Sequence, residues 1–256
     1  ATNVSGGTVN MATGFGSIDN DAQYAVNNKM GKDKVSGAWV SNVQSVLKVQ
    51  SGATVNVGAL TINRSTTSGA GTQLTVENGG KLYVESITLG TKEYKDKSQA
   101  SPKDTLASGS LTTTGHGEVA VVSGAVAEVK KDVTVAAGTT FDKTGSGAFT
   151  VLGTLKTEAA VKDGDPAGIF NVKGGSVAVN TVANAGTTNV AGPTGGASGA
   201  VFSVTGTGST NSGVISLQSG AAFVVKAGAD LTNTGAIAGA KDNAGAYTSV
   251  GDVNVA

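Results

Sequence analysis

The chain of 256 residues has no cysteine, which removes disulfides and thiolate metal sites together. It has one histidine, His116, so a transition-metal site would have to be dominated by carboxylates. A Ser–His–Asp triad would have to use that same residue. It stands in TTGHGEV with no G-x-S-x-G elbow, and GSGA (145–148) has only the character of a turn. One arginine, Arg64, is too few for bidentate phosphate reading. Eighteen Lys and Arg against eighteen Asp and Glu leave no net charge to draw the chain to nucleic acid or to an anionic membrane. No apolar run reaches the length of a membrane helix, so no membrane insertion of this chain is expected. No basic-then-apolar leader is visible, and a start at Ala1 fits a mature, processed product. Aromatics make up only 4% and charged residues 14%.

What remains is Gly (39 residues), Ala, Val, Thr, Ser and Asn. Val and Thr are stiff at χ1 and suit a pleated surface, while Gly and Asn supply positive-φ corners. This vocabulary predicts short strands joined by many turns. LTVENGGKLYV (74–84) shows the unit: apolar residues at offsets 0, 2, 8 and 10 with Gly at offset 5. Leu47, Val49, Gly52, Val55 and Val57 repeat it, as do Ile215, Leu217, Gly220, Phe223 and Val225. Looser copies start at Val119 and Val133, and FNVKGGSVAV is a copy shortened by one residue. Period-2 alternation gives each short strand one buried face.

Hairpins in an antiparallel sandwich are one arrangement of such strands. The kinks SGA, NGG and AAG, however, are longer than a clean two-residue hairpin turn. The strands are about three residues long, with small or β-branched inward residues, which suits stacked coils with like residues over like. The expected fold is all-β, a right-handed parallel β-helix (β-solenoid) with a distinct N-terminal cap. Residues 1–45 form the N-terminal extension and cap, in which Trp39 is a packing residue. Residues 46–256 form the body, with polar excursions near 91–108, 162–168 and 191–200. The first of these concentrates charge of both signs around Pro102 and reads as a solvated loop.

Residues that could carry chemistry are few. Asp19 and Asp21 lack the spacing and glycine of a calcium loop. Asp163 and Asp165 could be paired carboxylates of a glycan-cleaving β-helix, but Gly164 and Pro166 make them equally good turn residues. The stretch 191–200 has no Lys at phosphate-loop spacing. No catalytic, cofactor-binding or metal-ligating set is expected, and the chain is expected not to be an enzyme.

At LTVENGGKLYV, VQSGATVNVGALTINRS and GVISLQSGAAFVVKAGADLTNTGAI the sequence resembles autotransporter passenger domains and filamentous-haemagglutinin-like exoproteins. The likeness covers roughly residues 45–240. It implies an extracellular or cell-surface location in a Gram-negative bacterium, with a role in adhesion, self-association or a structural coat. A second stretch, NVSGGTVNMATGFGSI (3–18), resembles the donor strand of chaperone–usher fimbrial subunits. That likeness implies that Val9, Met11 and Phe15 contact a neighbouring subunit, although the usual cysteine pair is absent. The expected function is thus a non-enzymatic surface or secreted structural and adhesive protein that self-associates, as a filament or surface-coat subunit. Its partners are copies of itself and surface glycans. The alternative is a β-helix that binds or cleaves polysaccharide.

Overall fold

The structure is a computed structural model and describes residues 2–4, 7–11, 17–18, 46–62, 72–89, 115–161, 166–239 and 252–255. Among these the chain is all-β, with no helix, and no helix long and apolar enough to cross a membrane occurs. The strands follow the corners that the glycines set. The first circuit is β1 (Thr2–Val4), β2 (Gly7–Met11) and β3 (Ser17–Ile18), and the second is β4 (Val46–Val49) and β5 (Ala53–Ile62). The third is β6 (Thr72–Val76) and β7 (Lys81–Leu89), and the fourth β8 (Gly115–Val121), β9 (Val126–Val129) and β10 (Val133–Val135). The fifth is β11 (Thr139–Thr144) and β12 (Ala148–Thr157), and the sixth β13 (Ile169–Val172) and β14 (Ser176–Asn184). The seventh is β15 (Thr187–Val190), β16 (Val201–Val204) and β17 (Ser209–Asn211). The eighth is β18 (Val214–Leu217), β19 (Ala222–Val225) and β20 (Leu231–Asn233), and the ninth β21 (Ala236–Gly239) and β22 (Asp252–Val255).

The first strand of every circuit enters a nine-stranded sheet, sheet A, in the order β1-β4-β6-β8-β11-β13-β15-β18-β21. The remaining strands enter a thirteen-stranded sheet, sheet B. All strand pairs are parallel, and each circuit pairs with the one before it, as in β5 on β7 and β16 on β19. Sheet B has two limbs, joined through a register irregularity between Val151 and Thr154 in β12 and divided into separate strands in the fourth, seventh and eighth circuits. An antiparallel sandwich is thereby excluded for the described residues.

The repeat unit behaves as its spacing predicts. Gly52, Gly79, Gly124 and Gly220 have φ of 77–79°, so the corner between sheets A and B needs a residue without a Cβ. The apolar positions on either side whose side chains are described are buried. The copy at Val133 differs in place. Its strand lies in the second limb of sheet B and its glycine, Gly138 (φ 70°), turns the chain back to Phe141 in sheet A. The described strands of residues 1–45 join both sheets, with β1 on β4 and β2 and β3 on β5. Trp39 lies outside the described residues.

Parallel in-register pairing converts the alternating pattern into columns. One column in the first limb of sheet B is Val57, Val84, Val129, Val151, Val179, Val204, Val225 and Val255. Its neighbour runs Val55, Leu82, Ala127, Phe149, Val177, Phe202 and Phe223, with the small Ala127 between two large side chains. Phe170, from sheet A, reaches across to this side. Its ring lies 5.8 Å from Phe141 and 6.4 Å from Phe202, and Phe202 stacks on Phe223 at 5.6 Å. Each large side chain buried in this way contributes about 1.5–3 kcal/mol, and much of it is available only when the next circuit is in place.

One column changes chemistry along its length. In the second limb it runs Ile18, Ile62, Leu89 and Val135, and then Thr157, Asn184, Asn211 and Asn233. Asn184 and Asn211 are buried, so their amides must find partners inside. They find each other. Asn184 Nδ2 donates to Asn211 Oδ1 (2.6 Å) and to Val214 O (3.1 Å). Asn211 Nδ2 donates to Asn233 Oδ1 (2.7 Å) and to Ala236 O (3.1 Å). Thr157 Oγ1 begins the series by donating to Asn184 Oδ1 at 2.6 Å. A glycine follows each Asn by two residues because the next corner is tight. A Cβ on Gly213 would stand 2.1 Å from Gly186 O.

Candidate functional site

The outward face of sheet A carries the densest polar arrangement among the described residues. Register aligns Gln73, Glu118, Asp142, Asn171, Asn189 and Ser216 along it, one per circuit from the third to the eighth. Side-chain hydrogen bonds link the middle of this row. Asn189 Nδ2 donates to Asn171 Oδ1 (2.8 Å), and Asn171 Nδ2 donates to Asp142 Oδ1 (2.7 Å). Lys173 Nζ holds the other carboxylate oxygen, Oδ2, at 2.5 Å. The Asp142 side chain is only 4% exposed and that of Lys173 is 52% exposed, so the lysine lies over the carboxylate as a lid. Glu118, next to Asp142 in the row, accepts from Thr144 Oγ1 at 2.6 Å.

Beside this row lies an open groove of about 240 Å³, lined among others by Asn171, Lys173, Asn189, Ser216 and Gln218. The excursion 191–200 flanks it, closed by Ala200 N donating to Ala191 O (2.9 Å) and tied down by Gly192 N donating to Gln218 Oε1 (2.9 Å). Amides, a hydroxyl and an ammonium on rungs about 4.8 Å apart can hydrogen-bond an extended, hydroxyl-rich ligand. Glu118 and Asp142 stand on adjacent rungs. Both are engaged by neighbours on their own sheet, which suits holding a shape more than transferring a proton.

A second polar feature faces inward. Lys143 is fully buried, although its alternation in β11 places it where the two neighbouring circuits carry Val. Its Nζ donates to Gly145 O (2.7 Å), Gly147 O (2.5 Å) and Gly174 O (2.7 Å). Burial pushes its ammonium down from the ordinary lysine value to about 8.

The residues singled out from sequence scatter. Val9 and Met11 fall in β2, in register with Val55 and Val57 of the chain's own next circuit, and Phe15 lies outside the described residues. His116 falls in β8 opposite Thr140. Asp19, Asp21, Asp163, Asp165 and the charge run 91–108 lie outside the described residues, whereas the excursion 191–200 is described throughout. Among the described residues no three His, Cys, Asp or Glu side chains cluster as metal ligands. Sequence reasoning missed Asp142, Lys143, Asn171, Lys173 and Asn189, which come together only through register. It also missed the asparagine column, whose signal was in view as Asn184-Ala-Gly, Asn211-Ser-Gly and Asn233-Thr-Gly.

Comparison with protein-family profiles, with curated proteins and with solved structures finds no match to this chain.

Proposed function

We propose that the chain is a right-handed parallel β-helix with an N-terminal cap, carried to the outside of a bacterial cell. It serves there as a non-enzymatic structural and adhesive protein that associates with copies of itself. The observation that carries this reading is the outward face of the first limb of sheet B. From the fifth to the eighth circuit it presents Ala148, Thr150, Ser176, Ala178, Val201, Ser203, Ala222 and Val224. None is charged and all are small or β-branched, while Glu128 and Asp252 mark its two ends. An uncharged β face of small and β-branched residues packs on another of the same kind, and zero net charge leaves little long-range repulsion to keep copies apart.

The test places a charge in the middle of that face. Ala178→Lys with Val224→Lys is compared with the native chain by analytical ultracentrifugation and electron microscopy, with circular dichroism to confirm an unchanged sheet content. The native chain is expected to form lateral assemblies or fibres and the double variant to stay monomeric. A native chain that remains monodisperse at high concentration defeats the reading. The donor-strand version of assembly, through Val9, Met11 and Phe15, is separable: deletion of residues 1–16 abolishes filaments under that version and leaves lateral assemblies intact under the face-packing one.

The groove on sheet A favours a second reading, a polysaccharide-binding surface. In affinity electrophoresis at alkaline pH, gels containing neutral β-linked or α-linked polysaccharides would retard the native chain and not the variant Asn189→Ala with Ser216→Ala. Absence of retardation with every neutral glycan removes it.

A further inference from the structure

At the corner of the fifth circuit the chain takes a shorter path. In the fourth circuit eight residues lead from Val119 in sheet A to Ala127 in sheet B. Their register partners in the fifth circuit, Lys143 and Phe149, are only six residues apart. The inward column Val49, Val76, Val121 therefore ends at this level, and Gly145 lies against the backbone of Val121. Three backbone carbonyls, of Gly145, Gly147 and Gly174, converge in the space below. The first two come from the same corner and the third from the corner of the next circuit, so the cluster bridges two circuits.

We propose that this corner is a binding site for a small monovalent cation, and that the chain supplies the occupant itself as the ammonium of Lys143. Three acceptors face three N–H donors, which only the charged amine provides in full. The chemistry of the cage sets the class of ion. Calcium or magnesium needs six or more oxygens, several of them anionic, and this cage has three neutral ones. The nearest carboxylate in sequence, Asp142, faces outward and is held by Asn171 and Lys173. The residues in register with Lys143 on either side, Val119 and Val172, are apolar, so the ion is held by carbonyl dipoles and not by a counter-charge. The tethered ion joins two successive corners where the valine column can no longer do so.

Removal of the tether tests the site. Lys143→Ala keeps the carbonyls and empties the cage, whereas Lys143→Met fills the same space without charge. Thermal midpoints are compared at equal ionic strength in lithium, potassium, ammonium, methylammonium and tetramethylammonium chloride. Potassium, ammonium and methylammonium are expected to raise the midpoint of Lys143→Ala by about 2–4 °C once the ion is about fivefold above its dissociation constant. Lithium and tetramethylammonium, and every salt with the native chain or Lys143→Met, are expected to give no such selective rise. Equal responses to all five salts, or none, overturn the proposal. Should Lys143→Ala fail to fold, nitrogen-15 NMR of the native chain decides. A slowly exchanging lysine ammonium signal that is absent from Lys143→Met supports the cage, and a Lys143 signal that exchanges like those of surface lysines refutes it.

Discussion

Two halves of one column do the same job with opposite chemistry. Leu89 and Val135 are buried next to each other in register, and further along the stack Asn184, Asn211 and Asn233 hydrogen-bond one another in the same positions. Either solution works because parallel in-register stacking sets each residue against its counterpart. An apolar side chain needs an apolar neighbour. A carboxamide needs a neighbour that accepts with its oxygen while donating from its nitrogen, and another Asn does both. The polar half also reaches outside its column, to Val214 O and Ala236 O, so it ties the second limb of sheet B to the start of the circuit after next. The apolar half has no such directional link. Thr157 sits at the one boundary between the two halves. Its methyl group can meet Val135 above, while its hydroxyl donates to Asn184 below.

The largest test moves an amide into the apolar half. Leu89→Asn would place a carboxamide between Ile62 and Val135, with neither able to pair it. The loss of leucine burial and an unpaired buried amide together should cost about 4 kcal/mol, measured by chemical denaturation against the native chain. A cost below about 1 kcal/mol would mean that the column is not closed to water at that level. The reverse exchange is milder. Asn211→Leu removes the partner of Asn184 Nδ2 and of Asn233 Oδ1, but Asn184 keeps its bond to Val214 O. A cost of about 2 kcal/mol is expected. Converting Asn184, Asn211 and Asn233 to Leu together should then cost clearly less than three single exchanges, because the amides left without partners are removed as well. A strictly additive triple variant would show that the amides are not coupled.

The apolar columns are partly legible in the sequence. Val57 and Val84, or Leu217 and Val225, announce themselves by alternation around a glycine, and the physical demand at Gly79 and Gly220 is the same positive φ. The fifth circuit is not legible, because Lys143 stands where the pattern requires an apolar residue and so conceals the copy formed by Phe141, Phe149 and Val151. Pattern reasoning places a lysine on the solvent side, and only the three converging carbonyls explain its position inside. The asparagines stand in a recurring Asn-x-Gly, but their spacings of 27 and 22 residues are irregular and the phrase reads equally well as an exposed turn. The groove on sheet A is out of reach of pattern reasoning. Asp142, Asn171 and Asn189 are separated by 29 and 18 residues and become neighbours only when the lengths of the intervening circuits are known. Alternation at Val9 and Met11 has the same period whether the strand completes its own molecule or another, so sequence alone does not choose between them.

The contrast between the two kinds of column sharpens once more where the buried polar group is charged. The asparagine column has no titratable group, so substitutions in it should alter stability by the same amount at every pH. Lys143 should not behave that way. In the folded chain burial holds its pKa near 8, whereas in the unfolded chain it returns to about 10.5. Between those values the unfolded state binds the proton that the folded state has released, so raising the pH favours folding. Below pH 8 both states are protonated and above 10.5 neither is, so the dependence is confined to that window. Lys143→Met serves as the reference because it shares every other side chain with the native chain. The stability of the native chain relative to Lys143→Met should therefore rise from pH 8 to pH 10.5, while that relative to Asn211→Leu stays level. Denaturant midpoints at intervals across the window measure both. A difference that falls with pH would mean that the three carbonyls stabilise the charge by more than burial opposes it, and that the folded pKa lies above the ordinary lysine value.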